Sequence, residues 1–453
     1  MSSQPNIVSV ESMEVLPSNQ PANNTYSFRG GNPIVTITVP AQAKFLRASS
    51  VRLNGVLRVN KSDGAQVDNK NLRGTGDVDV SLSSRVGIHS VFQNVVLSSE
   101  STNQSLEAIR QYGRLVSTIL SSTHSPQDFA TEKSVVALMN GISGSTSVLY
   151  NNEIHFSIPL YCGLLQGGNL IPLSANGVNG LKIQLELASD QQVLSGANAG
   201  DASGAFYQLK NLSLSGQLLT PDEAGVAKLA VPGSGGFSYN SWSSLYSVIN
   251  SSDSTQTYNL ASSQVLSVIH TFLPVTQSNS YAADSFQNPE LQNTDAAGTT
   301  YNQACNLKRV SFSRGGVSLG MDYEMDCEEQ NAENVPETQV MQNFLRAFQP
   351  VNNRSRMLNA KQLMGFGGND LIPYRPRTDP DNRQDGVEAD QERNFGIGLA
   401  MDRVSDVGVN FKNMSYATRI VSDLDGKSPN SVFSFVLSKN VLQYSPSGIM
   451  IST

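Results

Sequence analysis

Ile154, Phe156 and Ile158 alternate with His155 and Ser157, and Leu181, Ile183, Leu185 and Leu187 alternate with Lys182, Gln184 and Glu186. A period of two places each apolar set on one face of a strand and each polar set on the other. Pro159 lacks the N–H that a full ladder needs, so it ends the first strand. Gly163, Gly167 and Gly168 then let the backbone turn. Strand, proline-marked crossover and strand between Glu153 and Asp190 predict a β-sandwich in which the chain leaves one sheet and joins the other.

The same pattern recurs upstream. Pro33 and Pro40 bracket the β-branched run Ile34 to Val39, and Val51 to Val59 follows as a second strand. Val78, Val80 and Leu82 alternate, and Val91 to Leu97 is a short apolar strand. The period then changes. Leu106, Ile109, Tyr112, Leu115, Val116 and Ile119 recur at three and four, which predicts an amphipathic helix over Ser105–Ser121, with Ser101 and Gln104 at capping-box spacing. Residues 122–150 read as polar loop. Leu209, Leu212, Leu214 and Leu218 give a strand near 205–219.

Pro221-Asp222-Glu223 and Pro232-Gly233-Ser234-Gly235-Gly236 carry linker chemistry and place a domain boundary near the middle of the chain. Beyond it the order repeats. Strands are expected near 243–249, 264–273 and 306–313. A helix-period segment after Pro336 uses Val340, Met341, Phe344, Leu345 and Phe348 and ends before Pro350. After the polar loop 351–390, strands are expected at Asn394 to Leu399, Gly408 to Phe411 and Val432 to Leu437. The offset is that of a duplicated unit, although the halves share negligible identity. The expected domains are an N-terminal arm 1–30, a first unit 31–220, a linker 221–236 and a second unit 237–453. The arm is too polar to build a core, and Ile7, Val8, Val15 and Leu16 give it something to bury only against another surface.

Composition narrows the class. The 453 residues exceed one ordinary domain; 15% are charged and 39% hydrophobic, a turn-rich β profile. A net charge of −7 argues against direct nucleic-acid binding, which uses a basic face. Cys162, Cys305 and Cys327 are odd in number and far apart, which fits reduced thiols better than a disulfide framework. The N-terminus lacks a basic and apolar leader, and no run approaches the ~18 apolar residues of a membrane span. Synthesis in a cytosol is therefore expected.

The search for chemistry returns no catalytic, cofactor-binding or metal site. His89, His124, His155 and His270 are scattered, and His155 and His270 read as structural residues inside strands. No Gly-x-Ser-x-Gly elbow or phosphate loop occurs; Gly315-Gly316 and Gly365-Phe366-Gly367-Gly368 are turn glycines. Asp322, Glu324, Asp326, Glu328, Glu329 and Glu333 form an acidic loop without calcium-loop spacing. Asp379, Asp381 and Asp385 alternate with Arg375, Arg377 and Arg383, as on a salt-bridged contact surface. Asn211-Leu212-Ser213 and Asn413-Met414-Ser415 are chance sequons without a leader. A chain of this size with no such chemistry is built for assembly rather than turnover.

One stretch resembles a known family. Ile158-Pro159-Leu160-Tyr161, Leu164-Leu165, Leu170-Ile171-Pro172-Leu173 and Gly180 to Leu187 are similar to the first jelly roll of double-jelly-roll major capsid proteins, nearest to those of polinton-like viruses and virophages. The resemblance implies an all-β fold of two tandem eight-stranded antiparallel jelly rolls, each with a short embedded helix. It also implies a structural subunit that forms homotrimeric, pseudo-hexagonal capsomers of an icosahedral shell. Its partners would be neighbouring capsomers and minor capsid or penton proteins. The location would be the virion, with no cofactor. The alternative from another class is a carbohydrate-binding or receptor-binding adhesive β-sandwich, a spike or vertex protein. That reading needs exposed aromatics, and Trp242 is the only tryptophan. A glycoside-active enzyme would need two facing carboxylates, which sequence does not place.

Overall fold

The computed structural model describes residues 7–64, 80–83, 86–123, 153–166, 168–174, 178–195, 203–223, 236–281, 284–286, 288, 293–294, 300–301, 307–324, 343–352, 396–401, 408–422, 429–445 and 448–452. The first half contains β1 (Ile7–Val15), β2 (Ile34–Val39), β3 (Arg52–Asn60), β4 (Phe92–Ser99), β5 (Ser105–Arg110), α1 (Tyr112–Thr123), β6 (Glu153–Pro159), β7 (Leu181–Leu187) and β8 (Phe206–Pro221). One sheet runs β1-β8-β3-β6 and the other β2-β7-β4-β5, all antiparallel. Short strands Thr25–Tyr26 and Phe45–Arg47 also pair with β8.

The second half contains β9 (Gly236–Ile249), β10 (Asp253–Asn259), β11 (Val265–Pro274), β12 (Leu307–Arg314), β13 (Val317–Glu324), β14 (Ile397–Ala400), β15 (Ser415–Ser422) and β16 (Asn430–Ser445). Its sheets run β9-β16-β11-β14 and β10-β15-β12-β13. The strand order is that of the first half. Two sheets whose neighbours come from distant parts of the chain are the mark of a jelly roll, here present twice.

Alternation explains the first roll. Leu181, Ile183, Leu185 and Leu187 are all buried between the sheets, while Lys182, Gln184 and Glu186 face outward. The crossover after Pro159 is also as expected: β6 lies in one sheet and β7 in the other. The second roll departs from alternation because β11, inside the β9-β16-β11-β14 sheet, is covered on both faces, while the edge strand β9 stays partly open, with Tyr246 and Val248 exposed. All ten residues of β11 are buried. Val265, Val268 and Phe272 join the second roll's own core with Val432 and Val436. Leu266, Ile269 and Leu273 join the cluster of the first half, with Phe433, Phe435 and Leu437. A strand with no solvent face reads as a continuous apolar run.

Several expectations change. The helix expected over Ser105–Ser121 is a strand, β5, followed by α1. Gln111, at φ 55°, turns the chain between them, so apolar residues from two elements share one helical spacing. The second helix was expected to stop before Pro350; instead Gln349–Asn352 is a helical turn with Pro350 in its first positions, where a missing N–H costs nothing. Residues 336–342 lie outside the described residues.

The segment read as a separate arm supplies β1. It pairs with β8 from Ile7↔Pro221 to Val15↔Leu214. In the first sheet β1 stands where β9 stands in the second roll. Ladder hydrogen bonds, which hydrophobicity does not reveal, hold it there. The strand expected at Gly408 to Phe411 is only an isolated bridge, Val265↔Val409, and the paired strand is β15.

Candidate functional site

Among the described residues, two groups of buried polar contacts sit where the halves meet. Glu107 on β5 pairs across the ladder with Leu97 of β4, so its position faces an apolar interior. It is buried at 4% exposure. Its Oε1 accepts the Gly163 N–H at 2.9 Å and the Trp242 N–H at 2.8 Å, and its Oε2 accepts the Leu164 N–H at 3.0 Å. Gly163 and Leu164 belong to a short helical turn of the first half, and Trp242 to β9. One carboxyl thus ties main chain from both halves. Burial pushes it up to about 7, against the pull of the three N–H donors.

Close approach makes this possible. A Cβ on Gly163 would lie 1.7 Å from the Asn240 carbonyl oxygen, so only glycine lets this turn reach β9. Beside it, the Tyr239 hydroxyl donates to the Leu106 carbonyl at 2.8 Å. The Tyr161 N–H donates to the Tyr112 hydroxyl, which lies 3.2 Å from Nδ1 of buried His89. Burial holds the Tyr112 hydroxyl and the Cys162 thiol well above their ordinary values.

Helix α1 makes the second tie. Arg114 is 1% exposed. Its Nη1 donates to the Ser285 carbonyl at 2.7 Å, and its Nη2 donates to the Phe272 carbonyl at 3.1 Å and to Asn288 Oδ1 at 3.0 Å. Its guanidinium lies 4.2 Å from the centroid of the Phe433 ring, a cation–π distance. Ser117 donates to the Phe286 carbonyl at 2.9 Å. Arginine suits this place because its planar fork meets several carbonyls at once.

The residues singled out from sequence scatter. His270 is fully buried in the second roll: Nδ1 is 2.7 Å from the Ser434 hydroxyl and Nε2 is 2.9 Å from the Tyr416 hydroxyl. Burial lowers it to about 3, so the ring is neutral. A serine beside a histidine resembles a nucleophile pair, but this one is sealed between sheets at 0% and 1% exposure, without a path for substrate. His155 is not a core residue; it is exposed, sharing the outer face of β6 with Ser157. Asp322 and Glu324 fall on β13. His124, Cys305, Cys327, Asp326, Glu328, Glu329, Glu333, the loop with Asp379, Asp381, Asp385, Arg375, Arg377 and Arg383, and Gly365 to Gly368 lie outside the described residues.

Gly315 and Gly316 are turn glycines, at φ 56° and 83°. Among the described residues no three metal-ligating side chains come together. No described helix is long and apolar enough to cross a membrane. Trp242 is 3% exposed and so is not offered for stacking on a sugar.

Neither Glu107 nor Arg114 was singled out from sequence. Both sit within one apolar stripe, and most of their hydrogen-bond partners are main-chain atoms far along the chain.

No protein-family model matches the sequence, and no curated protein does. Solved structures do match, over the whole chain. The Faustovirus major capsid protein aligns with a TM-score of 0.63 at 10% identity, covering 98% of this chain and 92% of that one. The PBCV-1 virus capsid aligns at 0.58 with 11% identity, covering 100% and 98%. The fold is the double jelly roll of major capsid proteins. The Sputnik virophage structure aligns at 0.52 with 11% identity, covering 100% of this chain and 89% of that one. At such identity, what a double jelly roll shares is the path of the main chain.

Proposed function

We propose that this protein is a structural major capsid protein that builds an icosahedral shell. The observation that carries this reading is a double jelly roll that matches viral capsid subunits from end to end at both rolls. Three such chains present six similar corners, so a closed homotrimer gives a pseudo-hexagonal capsomer from one repeated interface. The buried joint supports it, because six corners stay regular only if the two rolls of each chain keep one relative orientation. The partners are then neighbouring capsomers and minor capsid or penton proteins. The chain is made in the host cytosol and resides in the virion, with neither catalysis nor nucleic-acid contact. As domains, we propose a second roll over 237–453, a linking segment 221–236 and a first roll that ends near 220 and starts with β1.

Size-exclusion chromatography with light scattering tests the reading. A stable species of three 48.7 kDa chains, hexagonal in outline by electron microscopy, is expected. A protein that stays monomeric at every concentration overturns it and leaves the adhesive alternative.

A further inference from the structure

The first half docks on the outer face of the second roll's β9-β16-β11-β14 sheet. Strand β5 packs on β9, and Arg114 of α1 reaches Phe272 and Phe433. That face is apolar there, with Ile269, Leu273, Phe433, Phe435 and Leu437. The matching face of the first roll, on β1-β8-β3-β6, is built differently. Leu53, Leu57 and Val59 of β3 are buried in the roll, so Arg52, Asn54 and Arg58 alternate with them on the outside. Register sets Lys210, Val56 and His155 in one outer row, and Arg58 beside Glu153 in the next. Arg47 joins them, its Nη1 donating to Gln217 Oε1 at 3.2 Å. Glu153 is held by Lys210 at 3.1 Å, and Glu14 stands on the edge strand β1, level with Ser215 and Arg52. Arg47, Arg52 and His155 are exposed. This face is polar and net basic, in a chain whose net charge is −7.

What docks in the first half is a strand and the chain that follows it, β5 and α1. By strand order, their counterparts in the second half are β13 and the stretch after it. That stretch is acidic: Asp322 and Glu324 lie on β13, and Asp326, Glu328, Glu329 and Glu333 follow in sequence. Opposite charges thus stand at matching docking places of the two rolls. We propose that the basic face of the first roll is the docking surface for a second copy of this chain, which seats there its acidic stretch from β13 onward. The proposal rests on the capsomer reading above. It repeats between copies the roll-to-roll placement that the joint sets within one chain, and such a repeat closes into a ring. The contact within the chain is apolar and sealed. The contact between copies is electrostatic, so salt weakens it and charge sets its register.

Dilution of the full-length protein, followed by light scattering, measures the trimer dissociation constant. Raising the salt from about 0.05 M to about 0.5 M is expected to weaken association at least about tenfold. Emission of Trp242, the only tryptophan and a residue of the joint within the chain, is expected to stay unchanged. Arg47→Glu combined with Arg52→Glu, both exposed positions, sets like charges together and is expected to raise the constant by about a hundredfold or more. Adding Glu328→Arg and Glu329→Arg to that protein is expected to restore association. Association that ignores salt overturns the proposal without any variant. A charge-reversed protein that still forms trimers at the wild-type constant also overturns it, leaving the capsomer reading intact and the face to another partner. A loss that the second reversal does not rescue overturns the acidic stretch as the occupant. A wild-type protein that never associates overturns the capsomer reading and this proposal together.

Discussion

Glu107 and His270 are both sealed from water, but their surroundings differ in kind. Glu107 is held by main-chain N–H groups drawn from two halves, so its partners can leave only if the halves move. His270 is held by hydroxyls of Ser434, Tyr416 and Thr418 within one roll, and its ring stacks on Tyr416 at 5.9 Å between centroids. Hydroxyls rotate to suit either ring tautomer, whereas backbone donors cannot turn into acceptors. The core network therefore tolerates local change, while the joint ties one carboxyl to the placement of both rolls. Burial also moves the two groups in opposite directions, up for the acid and down for the base, because it penalises whichever form is charged.

Arg114→Met breaks the joint hardest. It leaves the Ser285 and Phe272 carbonyls and Asn288 Oδ1 without their donor, at a cost of roughly 3–5 kcal/mol. Calorimetry is expected to show one cooperative unfolding transition split into two, and a variant that melts as one sharp unit near the wild-type temperature removes Arg114 from the joint.

The core follows in size. His270 is neutral in the fold down to about 3, against an ordinary 6.5. Its contribution is fully present above 6.5 and falls as the pH drops toward 3, by up to about 4 kcal/mol. The stability gap between wild type and His270→Gln should therefore narrow across that window, measured by urea unfolding. A gap independent of pH counts against a neutral, buried ring.

Gly163→Ala comes next. The added methyl meets the Asn240 carbonyl, and the turn must retreat from β9, costing about 1–3 kcal/mol. Faster amide exchange at Trp242, with β11 unaffected, is the expected signature; equal loosening of both regions would mean that the joint is not a separate unit.

The smallest effect belongs to neither region. Glu11 on β1 meets Lys44 at 2.5 Å, but the pair is exposed at 51% and 26%. Glu11→Gln should change the melting free energy by under about 1 kcal/mol. A larger loss would show that β1 owes its place to this pair rather than to its ladder with β8.

Much of the architecture was legible where one face of a strand is wet. The alternation of β7 and the stop at Pro159 placed two strands in two sheets correctly. Strands with no apolar stripe escaped notice. In β10, Asp253–Asn259, polar residues occupy both faces, and only pairing with β15 makes it a strand. In β15 a buried Thr418 stands between Tyr416 and Ile420 and interrupts the apolar count. Hydrophobic spacing misled at β5, because a corner at Gln111 leaves the 3–4 periodicity intact across a strand and a helix. The joint was invisible for a different reason: a carboxylate bonded to backbone at positions 56, 57 and 135 residues away leaves no pattern in residue types.

Strand β11 of the second roll, covered on both faces, limits how the protein can be divided. A cut between residues 223 and 236 looks natural on paper. Yet a fragment starting there would carry Leu266, Ile269, Leu273, Phe433, Phe435 and Leu437 into water on one face. Exposed apolar area of that kind drives aggregation rather than a soluble module. Grafting this half onto a relative's first roll meets the same obstacle, since the graft would need a matching acid, a matching guanidinium and a glycine at the turn. The two rolls share one topology but are not interchangeable parts.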